Sequence, residues 1–145
     1  MREGLVEKDL LLAHPQSAGA RFFYETGSLG IRGIAQNGFA LVYEGSVPFF
    51  KIQKALIGEE KALKMTLLWL MAQLDDSTIW SRGGLEGLSY VKTKADEICL
   101  HVKNFPEDLD AHLRAFDEDL TQKHLSPGGS ADLLALTWLF SHITA

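Results

Sequence analysis

The chain has one cysteine, Cys99, in 145 residues. A lone thiol excludes an intramolecular disulfide and a multi-cysteine zinc site within one chain, so a reducing, cytoplasmic setting is expected. Positive charge is also scarce: 14 Lys and Arg stand against 19 Asp and Glu, a formal net charge of −5 at pH 7. This balance argues against nucleic acid and anionic membrane as partners, since both favour clustered cations. The start, "MREGLVEKDLLLAHPQ", is charged where a signal peptide needs a long apolar run, and no later stretch reaches membrane-spanning length without polar interruption. The five histidines include no HExxH spacing, and neither a Walker ending nor a nucleophile elbow is present.

What remains is 46% hydrophobic and 23% charged, enough to build one domain around a sizeable core. Apolar residues recur at helical spacing, with no convincing period-two run, and predict a compact all-α bundle of about five to seven helices in a single domain over 1–145. Pro48 starts or kinks a helix running to about Ile57. "EEKALKMTLLWLMAQL" opens with acids that suit a helix N-terminus and is apolar nearly all round from Met65, as a central helix should be. Leu85, Leu88, Val91, Ala95, Ile98 and Val102 mark one face of the next helix. After the "NFPEDL" start signal, Leu109, Leu113, Phe116 and Leu120 form another stripe, whose outer face, with Asp117, Glu118 and Asp119, is read as solvated. A last helix after Gly129 carries Leu133 to Phe140 and is read as core, with Trp69 and Trp138 among the buried side chains.

Three glycine-containing junctions stand beside polar or cationic residues. In "DDSTIWSRGGLEGL", Gly83 and Gly84 either only turn the chain, with Arg82 paired to Asp75 or Asp76, or let backbone N–H groups and Arg82 hold a phosphate. Trp80 is placed to flank a base. In "SPGGSADLL", Ser126, Gly128, Gly129 and Ser130 form a turn and a cap for the following helix, or a cradle for phosphate oxygens. Asp132 is expected in the first helical turn, where it complements the dipole or holds a metal ion or a sugar hydroxyl. In "TGSLGIRGIAQNGF", Arg32 is a surface residue of a loop or a ligand contact. Asp75 and Asp76 are candidates for Mg²⁺ beside a polyphosphate, or for a base.

The order "SAGARFFYETGSLGIRG", "NGF", "DDSTIWSRGG", "LSPGGSADLLALTWLF" resembles the triphosphoribosyl-dephospho-CoA synthases, which make the prosthetic-group precursor of citrate lyase and malonate decarboxylase. The resemblance covers nearly the whole chain and about the C-terminal half of the usual family protein. Within the motifs Ile34 stands where an acid is expected, Thr78 where asparagine is common, and Ser81 where a histidine often precedes Arg82. The resemblance implies transfer of the triphosphoribosyl group of ATP to the 2′-hydroxyl of 3′-dephospho-CoA, with release of adenine. It implies that Arg82, Gly83, Gly84, Ser126, Gly128, Gly129 and Ser130 bind phosphates, that Arg32 adds charge, and that Asp76 and Asp132 are catalytic, binding Mg²⁺ or orienting ribose hydroxyls. The competing expectation is a noncatalytic nucleotide-binding module, or one that completes a partner carrying the N-terminal half; self-association is expected too if that half normally covers apolar surface.

Overall fold

The computed structural model describes residues 40–143, and among these the fold is all helical. Arg32 and the junction over residues 27–33 lie outside the described residues. A π-helical segment, Leu41–Ser46, runs directly into α1 (Val47–Ile57), with Pro48 in its first turn, where a missing N–H is tolerated. Gly58, at φ 87°, separates α1 from α2 (Glu59–Gln73), which opens on Glu59 and Glu60 as the helix dipole favours. α3 (Ser77–Asn104) is broken at Gly84; a short 3₁₀ turn, Pro106–Asp108, then enters α4 (Leu109–Gln122). α5 is Gly128–Ile143.

α2 is central because it buries opposite faces against two separate apolar clusters. Met65, Leu68 and Met71 pack with Ile79, Leu88, Val91 and Ile98 of α3 and with Phe116 and Leu120 of α4. Leu70, followed by Leu74, packs with Val42, Val47 and Leu133, which joins the π-helical segment and α5 to the other side. The nearly all-round apolar pattern of this helix thus reports two cores. In the second cluster a buried hydroxyl pair, Ser46 Oγ and Thr137 Oγ1 at 2.7 Å, ties the π-helical segment to α5, and the Thr137 hydroxyl also lies 2.7 Å from the Leu133 carbonyl of its own helix.

Two expectations about large side chains change. Trp138 and Leu139 are 42% and 45% exposed, because α5 packs through Leu133, Thr137 and the neighbouring Leu134, Leu136 and Phe140 and turns the rest outward. Trp80 is buried in the main cluster and is not free to stack on a base. Cys99 is half buried, and burial, aided by Asp96, pushes its thiol up to about 12. Its thiolate fraction at pH 8 should be about a thousandfold below that of an ordinary thiol. Iodoacetamide should therefore label Cys99 slowly in the folded chain and rapidly in urea; equal rates would contradict this burial.

At the break in α3, Gly84 has φ 66° and ψ −161°, a backbone region essentially restricted to glycine. Open space surrounds the position of a would-be Cβ, so any penalty there comes from the backbone alone. Gly84→Ala should cost about 1–3 kcal/mol in urea unfolding. Gly87→Ala, on ordinary helical backbone with Leu125 at 3.5 Å, should be neutral or stabilising by up to about 1 kcal/mol. Equal effects of the two substitutions would remove the break as a feature of the fold.

Candidate functional site

Helix α5 starts on Pro127-Gly128-Gly129, a stretch with no side chain able to cap it. The acceptor comes from elsewhere. Asp76, fully buried, is the N-cap of α3 and accepts the Thr78 N–H at 3.0 Å on Oδ1. The same carboxylate takes the Gly129 N–H at 3.3 Å, the Ser130 N–H at 2.8 Å and the Ser130 hydroxyl at 3.0 Å. One negative charge therefore sits at the positive ends of two helices and satisfies N–H groups of both.

Thr78 completes the junction. Its hydroxyl lies 2.6 Å from Asp76 Oδ1 and 2.8 Å from the Ser126 carbonyl, with one proton to serve the two acceptors, and it accepts the Gly128 N–H at 3.0 Å. Glycine at 128 eases this approach, since a Cβ there would stand 3.3 Å from Thr78 Cγ2 and Oγ1, a tight contact that Thr78 would have to give way to. Ser130 is thus inside the first turn of α5 and donates to Asp76; it does not cap its own helix. Asp132, fifth in α5, is exposed in the second turn, one turn later than its expected place.

Beside this junction opens a cavity of about 420 Å³ between α2, α3 and α4. Leu67, Met71, Leu113 and Phe116 give it an apolar floor, and Arg82, Asp117, Thr121, His124 and Ser126 line it with polar groups. Its size and its mix of apolar wall with few polar groups are those of a small-molecule site. Arg82 does not pair with either neighbouring acid: Asp75 holds Lys92 at 2.6 Å, and Asp76 is committed to the two helix starts. Lys123, next to His124, is tied to Asp119 at 2.7 Å; that hydrogen bond raises the lysine pKa and, together with Tyr90, lowers that of the carboxylate.

His124, Thr121 and Asp117 were not singled out as site residues from the sequence. α4 ends in a Schellman turn, with Leu125 N–H bonded to the Leu120 carbonyl at 2.9 Å and His124 N–H to that of Thr121 at 3.1 Å. Such a turn requires left-handed backbone at the residue after the cap, a place usually given to glycine. His124 holds it at φ 56°, and its side chain is thereby set at the cavity. Asp117, read as part of a solvated helix face, also lines the cavity.

Of the expected site residues, Arg82 and Ser126 meet at this cavity, with Gly83 and Gly84 following Arg82 in the chain. A Cβ at Gly83 would stand 2.6 Å from Leu125 Cδ2, so glycine allows α3 to lie against the loop before α5. The N–H groups of Gly128, Gly129 and Ser130 already serve Thr78 and Asp76. Asp132 and Asp76 do not line the cavity. Metal ligation by Asp76 would require it to release donors that hold two helices, and among the described residues neither Asp76 nor Asp132 belongs to a cluster of three groups spaced for an ion. In this arrangement the Asp76 carboxylate is spent on helix donors, whereas exposed Asp132 makes no such bonds.

The family model for CitG, ATP:dephospho-CoA triphosphoribosyl transferase, matches residues 1–145. The chain belongs to this family. It is 40% identical over 145 residues to the 2-(5''-triphosphoribosyl)-3'-dephosphocoenzyme-A synthase of Klebsiella pneumoniae, covering 98% of the chain and 48% of that protein. It is 42% identical over 127 residues to a probable synthase of the same name from Vibrio cholerae serotype O1 (strain M66-2), covering 86% of the chain and 40% of that protein. The probable synthase of Albidiferax ferrireducens is 41% identical over 142 residues, 97% of the chain and 47% of that relative. The chain thus spans less than half the length of the curated relatives it matches. No solved structure matches it.

Replacing Asp76 by alanine leaves donors of two helix starts without their acceptor and should cost about 3 kcal/mol or more in urea unfolding. Thr78→Val, which keeps the shape and loses the hydroxyl, should cost about 1–2 kcal/mol. A change below about 0.5 kcal/mol for Asp76→Ala, the size expected of an ordinary surface site, would contradict the double-capping role.

Proposed function

We propose that this chain supplies the C-terminal part of a triphosphoribosyl-dephospho-CoA synthase, acting on ATP and 3′-dephospho-CoA. The observation that carries the reading is the family match along all 145 residues, together with an arginine-lined cavity at the motifs that the resemblance selects. In the reaction the C1′–N9 bond of ATP breaks and adenine leaves with the bonding electrons and a proton. The 2′-hydroxyl of dephospho-CoA loses its proton and forms the new bond to C1′.

The chain's contribution is binding and orientation. Arg82, with Ser126 and the backbone at Gly83 and Gly84, would neutralise the triphosphate; the apolar floor at Met71, Leu113 and Phe116 would take a base. Arg32 would add charge, and Asp132, which lies outside the cavity, would orient ribose hydroxyls of a substrate that extends beyond it. Gly128, Gly129 and Ser130 would shape the phosphate side of the site, and Asp76 would act by holding that turn. Mg²⁺ would accompany the triphosphate. Service to citrate lyase or malonate decarboxylase, a cytoplasmic location and self-association belong to the same reading. Among the described residues, no helix is long and apolar enough to cross a membrane.

A second reading is favoured by the chain's share of its relatives, 40% to 48% in the three compared: a noncatalytic module that binds nucleotide or completes a partner carrying the other half. Incubating the full chain with ATP, Mg²⁺ and dephospho-CoA and following adenine by chromatography separates the two. Release by the chain alone, or once the remaining half of a relative is added, supports the synthase reading, and ATP binding by calorimetry with no release in either mixture supports the noncatalytic module. Arg82→Ala should lower kcat/KM about 100-fold in whichever mixture is active. No adenine in either mixture, with no ATP binding by calorimetry, would reject both.

A further inference from the structure

At the end of α3 away from Gly84, three elements bring together two imidazoles and a carboxylate. His101 lies in the last turn of α3, Asp108 ends the 3₁₀ turn, and His112 lies in the first turn or so of α4. His101 Nε2 and Asp108 Oδ2 are 2.7 Å apart, and the His101 and His112 ring centroids are 4.7 Å apart. One ligand atom from each of the three residues lies within 4.8 Å of the other two. The sequence contains the reason. Asp108 and His112 are four residues apart across a helix start, which sets them on one face, and the Phe105-Pro106 corner folds that face back onto the end of α3.

Two imidazole nitrogens and one carboxylate oxygen suit Zn²⁺ and its late transition-metal neighbours better than Mg²⁺, which takes oxygen ligands and keeps its water. Tetrahedral zinc with bonds of about 2.0–2.2 Å needs its ligand atoms about 3.3 Å apart. The 2.7 Å hydrogen-bonded pair must therefore open slightly while His112 closes, changes that side-chain torsions can supply. His101 is exposed and the other two are half buried, so an ion has an entry path and a fourth position is left for water. Phe105 stacks on the His101 ring at 5.0 Å and fixes its plane.

We infer that His101, Asp108 and His112 form a three-ligand Zn²⁺ site that pins the corner between α3 and α4. It lies about 26 Å along α3 from Gly84, at 1.5 Å per residue, and is separate from the cavity at Arg82. Its role is to hold the corner, and it stands or falls independently of the proposed transfer reaction.

The test is calorimetric titration of the full chain with Zn²⁺, with Mg²⁺ as comparison, and melting temperature with and without Zn²⁺. One Zn²⁺ per chain should bind and raise the melting temperature, while Mg²⁺ does neither. His101→Ala and His112→Ala should each weaken Zn²⁺ binding at least about tenfold and abolish the thermal shift, whereas His142→Ala should retain both. Asp108→Asn, close in shape, should weaken binding in the same way and carries the test if an alanine variant loses helical circular dichroism. No Zn²⁺ binding by the unaltered chain, or binding that survives these substitutions, would overturn the site.

Discussion

Two helices of this protein begin at one carboxylate. Asp76 caps α3 and reaches across to the first turn of α5, where Pro127, Gly128 and Gly129 offer no side-chain acceptor of their own. Burying a charge is costly unless it is paired or fully hydrogen bonded, and here five donor groups surround it. The helix dipoles add to those bonds because both positive ends point at the same charge. The position of Ser126 relative to Arg82, and so the mouth of the cavity, depends on this junction, reinforced by Thr78.

The hydrophobic architecture supports the same place from behind. α2 lies between two apolar clusters, with α3 and α4 on one side and the π-helical segment, α1 and α5 on the other. Leu125 inserts from the end of α4 against Gly83 and Gly87, so the loop that carries Ser126 is anchored as well as capped. His124 accepts left-handed backbone in that loop and faces the cavity, where a glycine would give the turn but no side chain. Left-handed backbone and the cavity lining thus coincide at one residue.

Helix identity was legible because Pro48, the Glu59-Glu60 pair and the Pro106 start lie beside clear apolar stripes. The family was legible from the ordered glycine motifs, which the comparison bears out over the whole chain. The connection between those motifs was not. Asp76 and Ser130 are 54 positions apart, and nothing in local spacing says that the acid of one motif caps the helix of the other. Thr78 was legible only as a departure from asparagine, although its hydroxyl links Asp76, Ser126 and Gly128. His124 was hidden because left-handed turns are expected at glycine, and Trp138 was misread because an apolar sequence does not state which helix face lacks a neighbour.

The central claim is that the N–H groups starting α5 are held by Asp76 in the folded chain, before any ligand arrives. Native-state hydrogen exchange read at the amides of Thr78, Gly129 and Ser130 tests this most directly. The account predicts protection of all three without ATP, and its joint loss in Asp76→Ala while the amides of α2 remain protected or exchange by global unfolding. Free exchange of Gly129 and Ser130 in the unaltered chain, with protection appearing only when nucleotide is added, would contradict it.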